Sequence, residues 1–188
     1  MRTRACVAAD SVLHPRSLRA IVRGMLATSP PSAAQAFTAA ARERLQRTDA
    51  AAIPDVSNVF AAEPDGRAAV PTERLQEVLI RGRTLYGSGM GFASLKVLAR
   101  VVGATVGLRW DSGGPMEDVL ALIDTDISQA IQSSKEELDG GRVGDLQEAR
   151  AVVHELRTAV DESQMDVRKW SGAFPFERAA SSLVYWRV

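Results

Sequence analysis

The chain contains a single cysteine, Cys6, and two histidines, His14 and His154, in 188 residues. One thiol excludes an intramolecular disulfide framework and suggests a reducing compartment. With one cysteine and two distant histidines no Cys/His zinc pattern forms, so neither a metal nor a cofactor is expected. Lysine is nearly as scarce: only Lys96, Lys135 and Lys169 occur among the 23 basic residues. Positive charge is therefore almost all guanidinium, which suits bidentate contacts to phosphate or carboxylate. A GC-rich coding sequence accounts for the same composition equally well.

Net charge is absent too, with 23 basic and 23 acidic residues, so bulk charge argues neither for nor against nucleic acid. No apolar run reaches the roughly 18 residues of a membrane span, and the longest candidate, 97–108, is broken by Arg100. No membrane partner is expected. The basic N-terminal stretch is interrupted by Asp10; it does not read as a cleaved signal peptide, and a transit peptide is the minor alternative.

Aromatic residues number only ten, and half of them lie from Trp170 onward. Chain ends usually fray and carry small polar residues. The stretch GAFPFERAASSLVYW, 172–186, is therefore expected to dock on the chain's own core or on a neighbouring copy.

What the sequence has is helical periodicity. Its length suits one domain, and 46% hydrophobic with 24% charged residues is ordinary for a globular protein. Leu18, Ile21, Val22, Met25 and Leu26 follow the i, i+3, i+4 rule and predict a helix over 15–28, stopped by Pro30 and Pro31. A second helix from Ser32 to near Arg47 completes an N-terminal helical hairpin, 14–48. Residues 49–71 carry three prolines and predict an extended loop with one short strand around Val56 to Phe60. A third helix, with Leu75, Val78 and Leu79 inward, runs into GSGMG at 87–91, where glycines break regular structure.

The run 92–110 reads equally as a buried helix or as a strand. After Pro115 a clean amphipathic helix fades into 139–141. The last helix, 145–169, is the longest; Arg150, Arg157 and Arg168 fall on one line beside its apolar stripe at about 100° per residue.

Enzymatic chemistry finds no support. GSGMGFASLK places Lys96 too far from its glycines for a phosphate loop, so a flexible joint is the simpler reading. No nucleophile occupies a GxSxG pattern. Asp124 and Asp126 are two apart on a helix and so face different ways, unlike an acid/base pair. Asp111, Glu117 and Asp118 lack calcium-loop spacing. Composition and spacing alone stop at a mainly helical single domain.

The order of elements and the tail resemble the coat proteins of rod-shaped plant RNA viruses, the family represented by tobacco mosaic virus. That family closes with Phe-Glu followed by Leu-x-Trp; here Phe176-Glu177 precedes Leu183-Val184-Tyr185-Trp186, with Trp186 displaced by two positions. Its Arg-Val-Asp-Asp segment opens the last long helix at the RNA-facing end, and Arg142-Val143-Gly144-Asp145 stands in that place. The hairpin at 14–48 and the stretch IPDVSNVF resemble the family's first helix pair and the segment after it.

The resemblance implies an all-α fold, an antiparallel four-helix bundle with an extended loop segment and room for short strands. It implies a capsid protein, not an enzyme, that assembles helically with copies of itself around single-stranded RNA in the virion and host cytoplasm. RNA contacts would fall to Arg142, Asp145 and Arg150, with Arg81 and Arg83 standing in for the family's paired Arg-x-Arg. Phe174, Phe176, Glu177 and Trp186 would pack subunits together. The alternative is a cellular helical adaptor whose arginine stripe and aromatic tail bind a protein.

Overall fold

The computed structural model describes residues 15–48, 52–63, 66 and 68–188; Cys6 and His14 lie outside them. The described residues form seven helices and one small two-stranded sheet. Contacts cluster into one unit ending at Ala40 and a second beginning at Ala41, a division that falls inside a helix.

The first unit holds α1, Pro15–Thr28, and most of α2, Pro31–Arg47. The prolines before and after the break fit the first turn of each helix, where a missing N–H costs nothing. No residue of α2 is buried, and Leu18, Ile21, Met25 and Phe37 are exposed.

The second unit carries the core. Its expected strand moves C-terminally: β1, Phe60–Ala62, pairs antiparallel with β2, Ala69–Pro71, with Phe60 opposite Pro71 and Ala62 opposite Ala69. Thr72 ties the preceding loop to the end of β2, donating its hydroxyl to the Asn58 carbonyl at 2.8 Å and its N–H to the Val59 carbonyl at 3.0 Å. Then follow α3, Glu73–Gly87, and α4, Gly91–Gly103. The run from Phe92 resolves as helix because α4 is the central rod, packed against α3, α5 (Pro115–Asp139) and α6 (Leu146–Lys169). Only Ala93, Lys96, Arg100 and Gly103, along one narrow edge of α4, escape full burial, so most of its surface is apolar and its β-branched residues fit a strand as well as a helix.

Polar pairs fix the directions. Ser94 donates to the Gly82 carbonyl at 2.9 Å, so α4 doubles back along α3. Lys96 with Glu148, Arg100 with Glu155 and Thr105 with Ser163 show α4 and α6 running the same way. The start of α4 lies beside the end of α5, where the Phe92 N–H meets the Glu137 carboxylate.

The aromatic tail, expected to dock but not assigned a helix from the sequence, forms α7, Glu177–Tyr185, packed on α5 and α6. Phe176, Ala179, Leu183 and Trp186 are buried, while Tyr185 is 87% exposed. A nine-residue helix is too short to hold itself together in water, and its ends are satisfied from elsewhere. Asp124 of α5 accepts the N–H groups of Arg178 and Ala179 at 3.3 and 2.9 Å, capping the helix across space. Arg157 donates to the Leu183 carbonyl and Arg150 to the Val188 carbonyl, both at 2.9 Å. Two arginines of the expected basic stripe thus anchor the tail.

Two other carboxylates have structural duties. Asp126 receives Arg83 on both oxygens, 3.0 and 2.9 Å, and the Tyr86 hydroxyl at 3.1 Å. Asp166 accepts the Gly107 N–H at 2.8 Å and Arg109 at 2.9 Å, beside the edge-on pair Trp110 and Trp170. The Gly107 N–H first, then Arg109 and Lys169, hold the Asp166 carboxyl below the usual aspartate range. Its contribution to stability is therefore present above the ordinary Asp value and lost as pH falls through the lowered one. Asp166→Asn should flatten the acid limb of a stability-versus-pH curve measured by urea unfolding; an unchanged acid limb would contradict this role.

Candidate nucleic-acid interface

Arg142 and Asp145 come together at one end of the second unit. The chain leaves α5 through Gly140 and Gly141, the latter at φ +62°, a left-handed turn that glycine adopts without strain. This turn brings the Arg142 N–H back to the Glu137 carbonyl at 3.0 Å and its guanidinium to the Glu136 carbonyl at 2.9 Å. The guanidinium occupies the space that a side chain on Gly140 would fill. Asp145 then caps α6, accepting the Gln147 and Glu148 N–H groups at 2.7 and 3.2 Å.

Both residues line a cavity of about 200 Å³ that also takes in Phe92, Lys96, Glu137 and Glu148. Lys96 pairs with Glu148 at 2.8 Å. Burial pushes the Glu137 carboxyl up, opposed by the N–H groups of Phe92 and Gly91 and by Arg142 and Arg42. Phe92 closes the inner side, stacked on Trp186 with ring centroids 6.0 Å apart.

The chemistry is mixed. The N-termini of α4 and α6 open toward the cavity, and their partial positive charge favours anions. In the structure Glu137 serves the first and Asp145 the second. An incoming phosphate would meet Lys96 and Arg142 while competing with these carboxylates, an arrangement suited to weak, salt-sensitive, sequence-independent contacts.

The other expected RNA contacts lie elsewhere. Arg83 is committed to Asp126, and Arg150 to the tail. Arg81, also on α3, is half-buried and has an interaction partner. Of the residues expected between subunits, Phe176 and Trp186 lie in the chain's own core, Phe174 packs edge-on against Phe176 at 5.9 Å, and Glu177 opens α7 at the surface. Contacts to another copy through the tail would therefore fall to exposed residues such as Val184 and Tyr185.

Sequence spacing does not single out Lys96, Phe92 and Glu137 as binding residues. The i, i+4 spacing of Phe92 and Lys96 after a glycine turn is the one local signal that marks the first two. The GSGMG segment is a packed turn: Ser88, Met90 and Gly91 are buried, and Gly89 takes φ +72°. Arg42 fastens it with a 3.2 Å bond to the Ser88 carbonyl. Among the described residues no group of three or more His, Cys, Asp or Glu is placed to hold a metal ion, and no helix is long and apolar enough to cross a membrane. No family model, curated protein or solved structure matches the chain.

Proposed function

We propose that the chain is a structural coat protein that self-assembles helically around single-stranded RNA in a rod-shaped or filamentous particle. In this reading the helices packed around α4 stand where the family has its antiparallel four-helix bundle, although α4 and α6 run the same way, and the virion and host cytoplasm are its locations. The observation that carries the proposal is the meeting of Arg142 with Lys96 at one cavity, beside the capped start of α6. A groove repeated along a rod needs little affinity at each subunit, because many weak phosphate contacts act on one strand. The carboxylates in the lining fit that requirement. Protonating Glu137, whose carboxyl is already pushed up, removes one negative charge, so RNA affinity should rise on acidification.

Binding to a fluorescently labelled oligouridylate, followed by anisotropy at several salt concentrations, tests the site. The double variant Lys96→Ala, Arg142→Ala should bind roughly 10-fold or more weakly, with a salt slope smaller by about 0.7 for each phosphate no longer neutralised. Circular dichroism melting separates this effect from removal of the Arg142–Glu136 bond. Discs or rods in electron micrographs would support assembly. Compact monomers over a range of pH and salt, with no nucleic-acid absorbance in native preparations, would overturn the proposal.

A further inference from the structure

We propose that α1 docks on the surface of an anionic lipid bilayer. Leu18, Ile21, Val22, Met25 and Leu26 occupy an arc of about 140° around this helix, taken at roughly 100° per residue. Leu18, Ile21 and Met25 on that arc are 46%, 54% and 53% exposed. Positions 16, 19 and 23 are all arginine, and the same geometry puts them within about 60° of one another beside one edge of the arc. From Ser11 to Arg42 the sequence contains no Asp or Glu.

These features select the occupant. An apolar arc flanked by charge of one sign matches a bilayer, apolar beneath a layer of negative headgroups. Cationic residues near such a surface strengthen docking, and the missing carboxylates remove the repulsion that would oppose it. The helix has 14 residues, fewer than the roughly 20 that a span requires, so it lies in the interface plane. Phe37 of α2, 44% exposed, adds apolar surface in the same unit. The inference is independent of the RNA cavity, whose residues all lie beyond Ala41.

Co-sedimentation of the full chain with phosphatidylcholine vesicles, with and without phosphatidylserine, tests it. The protein should pellet with the anionic vesicles, remain in solution with the neutral ones, and release at high salt. The triple variant Leu18→Asp, Ile21→Asp, Met25→Asp should bind on the order of 100-fold more weakly. Arg16→Gln, Arg19→Gln, Arg23→Gln, which leaves the apolar arc untouched, should lose the preference for anionic lipid. Binding to neither vesicle, equal binding to both, or full binding by the aspartate variant would overturn the inference. So would light scattering in which the aspartate variant turns an oligomer into a monomer while vesicles capture nothing, since the face would then belong to a second copy.

Discussion

Replacing Phe176 with alanine is expected to cost about 4 kcal/mol, the range for deleting a fully buried aromatic ring from a packed core. Phe176 has no exposed surface and stands immediately before α7, so its ring holds the helix entrance while Asp124 caps it. Without the ring, the anchor on which Leu183 and Trp186 depend loosens, and Trp186 is the partner stacked on Phe92 at the cavity. A domain with a total stability of roughly 5–15 kcal/mol would lose a large fraction of it. Urea unfolding followed by tryptophan fluorescence measures the shift. Tyr185→Ala is the control: at 87% exposure it should change stability by less than about 0.5 kcal/mol. If Phe176→Ala behaved like Tyr185→Ala, the tail would not belong to this core. Deleting 172–188 is a poorer test, because it removes structural and surface residues together.

The long helices are legible because each carries an unbroken apolar period and a strong boundary, as with Pro115 at the start of α5 and Asp145 before α6. The central helix α4 is ambiguous for a different reason: only the narrow edge of Ala93, Lys96, Arg100 and Gly103 escapes full burial, and the β-branched residues after Arg100 suit a strand equally. For α7 the decisive partners are remote: its cap, Asp124, lies more than fifty residues upstream, and nothing at 172–186 announces it. Alternation along a helix does place Asp124 and Asp126 on different faces. It cannot reveal that both faces are buried, one against α7 and the other against α3.

The candidate site divides in the same way. Arg142 and Asp145 form a local segment, a turn and a cap, and their proximity follows from the chain itself. Lys96 reaches them only because α4 begins where α5 ends and then runs beside α6, a tertiary fact. Arg83 has the right side chain for phosphate, yet a buried carboxylate claims it; Arg150, like Arg142, bonds a backbone carbonyl, but it does so at the tail and does not line the cavity. Sequence spacing counts guanidinium groups without showing which are already committed.

Gly91→Ala is expected to destabilise the second unit by about 3 kcal/mol or more, the upper range for forcing atoms into a filled interior. A Cβ at this position would overlap the backbone nitrogen, Cα and Oγ of Ser134. Backbone cannot yield as a flexible side chain does. Ser134 lies in the 25-residue α5, completely buried, with its hydroxyl bonded to the Ala130 carbonyl at 2.8 Å. Relief would require separating α4 from α5, which would draw the Gly91 and Phe92 N–H groups away from Glu137 and open the inner wall of the cavity. The same substitution at Gly103, at the far end of α4 with nothing within 4 Å of its Cβ, should instead stabilise by up to about 1 kcal/mol through helix propensity. A comparison of the two unfolding midpoints isolates the crossing from any general effect of alanine. Equal midpoints would contradict the close approach. A large destabilisation at Gly91 alone would identify its glycine as a requirement of helix packing, independent of any bound phosphate.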